Sequence, residues 1–385
     1  MASSEAITGA MDRALALAAR ARGATGANPM VGCVILDRGG RAVAEGRHER
    51  FGGPHAEVNA LADARRRGHA VAGGTVVVTL EPCSHHGKTP PCADAVIAAQ
   101  PARVVVAMRD PNPQVAGRGL KALRAAGIEV TVGLREREAR LLNAAFLTRI
   151  HTGRPLVTVK YAMTLDGRTA ARTGHSKWIS SPASRERVHR MRGQSDAILC
   201  GIGTVLADDP QLTARPPGPA ACRRFVIDPH LQTPPTSRLM QTAADDPVTL
   251  LCRDDALSQS SAPRSPGVSV VPLPVVADGV SIDAALDHLA SEGIATLLVE
   301  GGGRTVGRFF DAGAVDEVVA FVAPKLVGGT EAFGPIGGRG RDAIPQQTDF
   351  ASYEVERIGD DVLIRGLLDR SWFAVNSEPE GERPT

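Results

Sequence analysis

Apolar residues along this chain fall into short runs separated by glycine and proline breaks, and the period of the runs changes in a regular order. Between residues 8 and 22, Met11, Leu15, Ala18 and Ala19 recur at helical spacing, which predicts an amphipathic opening helix. Asn28-Pro29 breaks it, and Val31 to Leu36 reads as a buried strand with Val43 to Gly46 as its hairpin partner. His55 to Gly68 is helical in period, with Pro54 at its entrance, where proline is tolerated. The pattern then predicts a strand at Thr75 to Leu80, a helix at Ala93 to Ala99 opened by Cys92, and a strand at Arg103 to Met108. A helix at Leu120 to Ala126 and a strand at Ile128 to Val132 follow. Such alternation implies a layered α/β domain with a largely parallel sheet.

Arg149 to Pro155 reads as a connection, after which the alternation restarts. Strands are expected at Leu156 to Tyr161, Ala197 to Cys200, Arg224 to Ile227, Val248 to Cys252, Val268 to Val271, Thr296 to Val299 and Val318 to Phe321, with a helix at Ser184 to Arg192. Arg215 to Cys222 and Asp254 to Gly267 look irregular. The expected division is a first α/β domain over 1–148, a linker over 149–154, a second α/β domain over 155–373 and a polar, disordered tail over 374–385. A length of 385 residues, too long for one ordinary core, agrees with two domains.

Composition narrows the function classes. Hydrophobic content of 43% and charged content of 22% are those of a globular protein. A formal charge of +2 gives no electrostatic footprint for nucleic acid, and 3% aromatics gives no stacking surface for single strands. No apolar run approaches the roughly 20 residues of a membrane helix, and Met1 to Glu5 has no signal-peptide character. Six scattered cysteines do not look like a disulfide framework, so a reducing cytoplasm is the natural setting. The composition says nothing about homo-oligomerisation.

One constellation carries chemistry. His55-Ala56-Glu57 is followed by Glu81-Pro82-Cys83 and then Cys92. One imidazole and two thiolates suit zinc and leave the fourth tetrahedral position for water. Glu57, two residues after the histidine, is placed to shuttle that water's protons. Zinc deaminases of amino-substituted rings carry H-x-E followed by P-C-x-x-C; here eight residues, Ser84 to Pro91, separate the cysteines. His85 or His86 could instead supply a fourth ligand to a structural zinc, but Glu57 would then have no purpose. Cys33, Cys200, Cys222 and Cys252 lack motif context and read as apolar fillers.

The segments Asn28 to Ile35, His55 to Val58, Glu81 to Cys92, Asp110 to Pro113 and Gly117 to Gly119 resemble the deaminase half of the bifunctional riboflavin-biosynthesis enzymes. The His85-His86-Gly87-Lys88-Thr89-Pro90-Pro91 insert separates that family from cytidine, guanine and tRNA-adenosine deaminases. The resemblance covers about residues 8 to 148. It implies a cytidine-deaminase-like α/β/α fold, a zinc cofactor, and loss of a ring amino group from a diaminopyrimidinone ribotide. It also suggests Asn28, His85, Lys88, Asp110 and Asn112 as substrate contacts. Lys88 suits a phosphate, though a solvated surface lysine explains it equally well.

In the second half, Glu300-Gly301-Gly302-Gly303 follows the Thr296 to Val299 strand and precedes a helical run. Glycines there let backbone amides approach a phosphate, but those at 301, 303 and 307 do not match the G-x-G-x-x-G fingerprint. A tight structural turn explains them almost as well. Lys160 to Ala170, Gly174 to Ser180, Asp196 to Arg215, Val299 to Gly303 and Ala323 to Leu326 resemble the reductase half of the same family, over about residues 155 to 370. That resemblance implies a dihydrofolate-reductase-like fold that takes NADPH and reduces a ribosyl to a ribityl chain. Ala162, Trp178, Thr204, Asp208 and Gly302, Gly303, Arg304, Thr305, Val306, Gly307 and Arg308 would line the NADPH site. Ser176, Arg192, Leu212, Arg215 and Glu300 would hold the pyrimidine ribotide, and Lys160 is a candidate catalytic residue, either polarising the sugar or donating a proton. The chain departs from the family in carrying Pro229 after Asp228, where a serine is common.

Two other readings meet the same residues. One is a deaminase of another base, tRNA included, with a C-terminal substrate-binding module; near-neutral charge and the reductase-like segments count against it. The other is a non-catalytic protein with structural zinc and a nucleotide-sensing domain; the retention of Glu57 counts against that.

Overall fold

The run Thr75-Val76-Val77-Val78-Thr79-Leu80 is apolar or small on both faces, and it forms a strand buried at every position. A strand covered on both sides belongs to a sheet between helical layers. In the computed structural model, which describes residues 2–84, 91–113, 115–219, 222–258, 265–277 and 279–373, the chain forms two compact units. The described residues of 1–152 together with 371–373 form one, and those of 153–370 the other.

The first unit contains α1 (Ser4–Ala19), β1 (Gly32–Leu36), β2 (Ala42–Arg47), α2 (Ala56–Arg66), β3 (Thr75–Leu80), α3 (Cys92–Ala98), β4 (Arg103–Met108), α4 (Arg118–Ala125), β5 (Glu129–Val132), α5 (Glu136–Leu142) and α6 (Ala144–Thr152). The sheet order is β2-β1-β3-β4-β5. Ser3 caps α1 by accepting the Ala6 N–H, and Met11, Ala14, Leu17 and Ala18 bury its inner face. Gly32 permits the contact between α1 and β1, since a Cβ there would lie 2.0 Å from the Ala14 carbonyl oxygen.

Three expectations need correcting in this unit. The sheet is mixed rather than largely parallel: β1 runs antiparallel to both β2 and β3, and only β3, β4 and β5 are mutually parallel. The tight turn after Leu36, in which Asp37 Oδ1 accepts the Gly39 and Arg41 N–H groups, forces β2 to return alongside β1. Second, residues 149–152 are not linker but the last turn of α6, whose Leu147 and Thr148 are buried. Third, Ser371–Phe373 belongs with the first unit. Trp372 stacks on His151 at 6.1 Å, its carbonyl accepts from Arg140, and Phe373 is buried.

The second unit contains β6 (Leu156–Thr164), α7 (Pro182–Gly193), β7 (Ala197–Gly201), α8 (Ile202–Asp208), β8 (Arg223–Ile227), α9 (Arg238–Gln241), β9 (Val248–Arg253) and β10 (Val268–Leu273). The short pair β11 (Val275–Val276) and β12 (Gly279–Val280) follows, then α10 (Ile282–Ser291), β13 (Thr296–Glu300), α11 (Gly303–Asp311), β14 (Glu317–Ala323), β15 (Phe350–Ile358) and β16 (Asp361–Leu368). Its nine-stranded sheet has the order β10-β9-β8-β7-β13-β6-β14-β16-β15. Pairings from β10 through β14 are parallel, and the β15–β16 hairpin closes one edge antiparallel. Val157, Leu199, Phe225, Leu286, Val299 and Phe309 are central to its main core. The switch from β7 to β13 to β6 brings Lys160 and Glu300 to adjacent registered positions. Residues 374–385, expected to be a disordered tail, lie outside the described residues.

Candidate active sites

His55 is the N-cap residue of α2, with extended backbone, and Glu57 lies in that helix's first turn. Cys83 follows β3 by three residues, and Cys92 opens α3. The two sulfurs are held together by main chain: the Cys92 N–H donates to Cys83 Sγ at 3.3 Å, and the Ala93 N–H to the Cys83 carbonyl at 3.1 Å. His55 Nδ1 lies 3.1 Å from Cys92 Sγ and 3.6 Å from Cys83 Sγ. Among the described residues these three form a single group of potential metal ligands, with all donor atoms within 4.8 Å of one another. Tetrahedral zinc with typical Zn–S and Zn–N bonds needs sulfur–nitrogen separations of about 3.5 Å, so the donor set fits zinc in chemistry and in spacing.

Glu57 is 3% exposed. Burial pushes its carboxyl up to about 7, against opposing contributions from its own backbone N–H and from His55. Cys83 is held down to about 4, first by a hydrogen bond from the Cys92 thiol and also by His55. Cys92 is pushed up by that same bond and by burial. The site therefore has a thiolate-prone sulfur, a nearby imidazole, and a carboxyl that can hold or release a proton near neutral pH.

Asn28 and His48 sit beside this group. His48 is buried, with Nδ1 3.1 Å from the Pro54 carbonyl oxygen and Nε2 3.2 Å from Asn28 Nδ2. Donation from Nδ1 to the carbonyl leaves Nε2 to accept from the Asn28 amide, which fixes the amide's orientation. The His48 ring meets the His55 ring edge-on at 5.4 Å. Sequence reasoning missed His48: an isolated histidine at the end of a hairpin gives no motif. Asp110 and Asn112 follow β4, where the Asn112 N–H donates to Asp110 Oδ1 at 2.9 Å. His85 and Lys88 lie outside the described residues, as does His86, the other candidate fourth ligand.

In the second unit Glu300 is 8% exposed at the end of β13. Arg192 grips it with both edges of the carboxylate, Nε to Oε1 at 2.7 Å and Nη2 to Oε2 at 3.0 Å, and Lys160 Nζ lies 3.3 Å from Oε2. Burial raises the Glu300 pKa, but Lys160 and Arg192 outweigh it and hold the carboxyl at about 2. Arg192 Nη1 also donates to the Thr213 carbonyl at 3.2 Å, where His189 Nδ1 lies at 3.1 Å. Leu212, at φ 54°, is buried in this loop, and Arg215 bonds Gln211. Ala162 lies on β6 beside Phe321, and Ser176 is half-buried in the segment before α7.

Around the glycine turn, the Gly302 N–H donates to Thr204 Oγ1 at 3.1 Å, and Asp208 Oδ1 lies 3.5 Å from Lys177 Nζ. Gly302 and Arg304 are exposed at the start of α11, while Thr305 packs so closely under Gly201 and Gly301 that a Cβ on either would collide with it. This bare backbone at a strand-to-helix turn fits a dinucleotide phosphate. The same run then turns inward: Val306 joins the core, Gly307 packs against the Gly337 carbonyl, and Arg308 donates to the Val280 carbonyl. Trp178 is 66% exposed, with the Arg185 guanidinium 4.5 Å from its ring centre. Lys325 Nζ ties down the Trp178 and Ile179 carbonyls at 2.6 and 2.8 Å, a role not legible in the Ala323 to Leu326 motif. Asp228 turns its carboxylate onto the N–H groups of Gln232 and Thr233 and the Thr233 hydroxyl, next to Pro229.

Comparison with known proteins places each unit in a family. Residues 4–108 match the cytidine and deoxycytidylate deaminase zinc-binding region, and residues 155–364 match the RibD C-terminal domain. The riboflavin biosynthesis protein RibD of Escherichia coli is 42% identical over 92% of this chain and 97% of its own, and that of Aquifex aeolicus 41% identical over 92% and 96%. Among solved structures, a diaminohydroxyphosphoribosylaminopyrimidine deaminase/5-amino-6-(5-phosphoribosylamino)uracil reductase from Thermotoga maritima superposes with a TM-score of 0.83 at 35% identity, covering 95% of this chain and 99% of that one. Acinetobacter baumannii RibD gives a TM-score of 0.79 at 35% identity, with coverage of 95% and 99%. The first unit is thus cytidine-deaminase-like and the second dihydrofolate-reductase-like. No described helix is long and apolar enough to cross a membrane. The chain belongs to the RibD family of bifunctional riboflavin-biosynthesis enzymes, a zinc-dependent deaminase joined to an NADPH-dependent reductase.

Proposed function

We propose that the first unit deaminates the diaminohydroxy-phosphoribosylaminopyrimidine named for the Thermotoga maritima relative, and that the second reduces the resulting aminouracil ribotide. His55, Cys83 and Cys92 hold the zinc, which when bound supplies Lewis-acid activation of a water. Glu57 is placed to take one proton from the attacking water and pass it to the ring nitrogen, and then to take the second from the hydroxyl now on the carbon and deliver it to the departing amine. One water is consumed and one ammonia released. A carboxyl near pH 7 suits both directions of transfer. Asn28, oriented by His48, and Asp110 and Asn112, after β4, contact the substrate, and Lys88 is the proposed partner of its phosphate.

In the second unit the Gly302–Thr305 turn, Thr204, Asp208, Ala162 and Trp178 hold NADPH, which supplies the hydride. A hydride delivered by NADPH to the ribosyl C1 carbon would open the sugar and leave the former ring oxygen in need of a proton. Lys160, held against Glu300, is the proposed donor. Ser176, Leu212 and Arg215 hold the substrate, with Arg192 acting through Glu300 and Thr213. The ligands are small ribotides rather than nucleic acid, and a reducing, cytoplasmic setting that keeps Cys83 and Cys92 as thiols belongs to the same reading.

The convergence of His55, Cys83 and Cys92 beside the buried carboxyl of Glu57 carries the proposal. Its test is ammonia release from the diaminopyrimidinone ribotide by zinc-loaded protein; zinc-loaded, folded protein that releases none would refute it.

A further inference from the structure

Glu81 lies between the end of β3 and the zinc-ligand candidate Cys83 and is 3% exposed. Its carboxylate accepts from four backbone N–H groups: Asp110 at 3.3 Å and Gly117 at 3.0 Å on Oε2, and Gly119 at 3.0 Å and Leu120 at 3.4 Å on Oε1. These donors bracket the segment carrying Asp110 and Asn112 and the start of α4. Gly119 reinforces the contact independently, since a Cβ there would lie 2.0 Å from the Pro82 carbonyl oxygen and 3.3 Å from Glu81 Cγ. Glu81's own N–H donates to the Met108 carbonyl at 3.0 Å, which ties it to the end of β4 as well. A buried carboxylate is costly unless its lone pairs are occupied. Here both oxygens are each shared between two amides, as a charged acceptor-only group allows and a neutral amide does not.

We infer that Glu81 is a positioning residue of the deaminase: it fixes the backbone at Asp110 and at Gly117–Leu120 relative to Cys83, so that substrate contacts and metal ligand keep one geometry. The inference rests on the reading that Asp110 and Asn112 touch substrate. Glu81→Gln keeps the shape but turns an amide NH2 against backbone donors.

The test compares zinc-loaded wild type, Glu81→Gln, Glu81→Asp and Asn112→Ala. It measures KM and kcat for ammonia release, zinc per chain, and NADPH oxidation on preformed aminouracil ribotide as a control on the same chain. Glu81→Gln is expected to raise the deaminase KM about tenfold or more, with kcat, zinc content and reduction close to wild type. Glu81→Asp, which keeps the charge on a shorter arm, is expected to be intermediate. A wild-type KM in Glu81→Gln while Asn112→Ala is impaired overturns the inference and leaves the site reading intact. If both variants are silent, the substrate-loop reading itself fails. Should Glu81→Gln shed its zinc, Glu81→Asp decides: a wild-type KM in that metal-loaded variant overturns the inference.

Discussion

Arg192 and Glu300 form a two-bond, side-on ion pair in the second unit, 2.7 Å and 3.0 Å long, at the end of the strand that lies beside Lys160. Three of the guanidinium nitrogens' bonds are thereby committed, two to Glu300 and one to the Thr213 carbonyl. The pair links Lys160 on β6 to the loop that carries Leu212 and Arg215.

Arg192→Lys keeps the positive charge but loses the planar fork. It should lower reductase kcat/KM by about 10- to 100-fold, roughly the loss of one or two charge-assisted hydrogen bonds, and leave ammonia release unchanged. Parallel steady-state assays of the two reactions check this; equal losses in both would contradict it.

Glu300 also sets a pH dependence of stability. Its carboxyl ordinarily titrates at 4.5 and is held at about 2 in the folded unit. A depressed folded pKa contributes stability that is fully present above 4.5 and is lost as pH falls from there toward 2. The amount at stake is on the order of 3 kcal/mol. Urea unfolding of the protein at pH 6 and pH 3.5 should show a little under half of this, on the order of 1 kcal/mol, because pH 3.5 still lies above the folded pKa. Glu300→Gln, which leaves Lys160 and Arg192 without a counter-charge, should be less stable at pH 6 and lose less on acidification. Parallel pH curves for the two proteins would contradict the assignment.

Removing zinc with a chelator should abolish ammonia release and lower the unfolding temperature of the first unit, because ligand binding to the folded state adds to its stability. NADPH oxidation on preformed aminouracil ribotide should persist. Thermal scans with and without added zinc, read with both assays, test this; loss of the reductase in step with the deaminase would contradict it.

The strands Thr75–Leu80 and Arg103–Met108 and the start of helix α3 at Cys92 were legible because each is an unbroken apolar run or opens at a clear break. The β15–β16 hairpin was not. As an edge strand, β15 exposes Tyr353, Glu354, Val355 and Glu356 in succession, so no alternation marks a buried face. The last turn of α6 was hidden by its polar Arg149 and His151 and by the Gly153 that ends it. Trp372 joins the first unit through a contact with His151 that no local period encodes. At the sites, His55, Glu57, Cys83 and Cys92 stand out because their chemistry is carried by side chains at motif spacing. His48 and Glu81 do not, because most of their partners are backbone groups between 6 and 39 residues away.

Glu57→Gln tests the central claim most directly. The amide keeps the size of the side chain but cannot move protons. The purified variant should retain one zinc per chain and full NADPH-dependent reduction of the aminouracil ribotide, while ammonia release falls by about a hundred- to ten-thousandfold. Ammonia release near the wild-type rate from that zinc-loaded variant would contradict the assignment of Glu57 as the proton carrier of the deaminase.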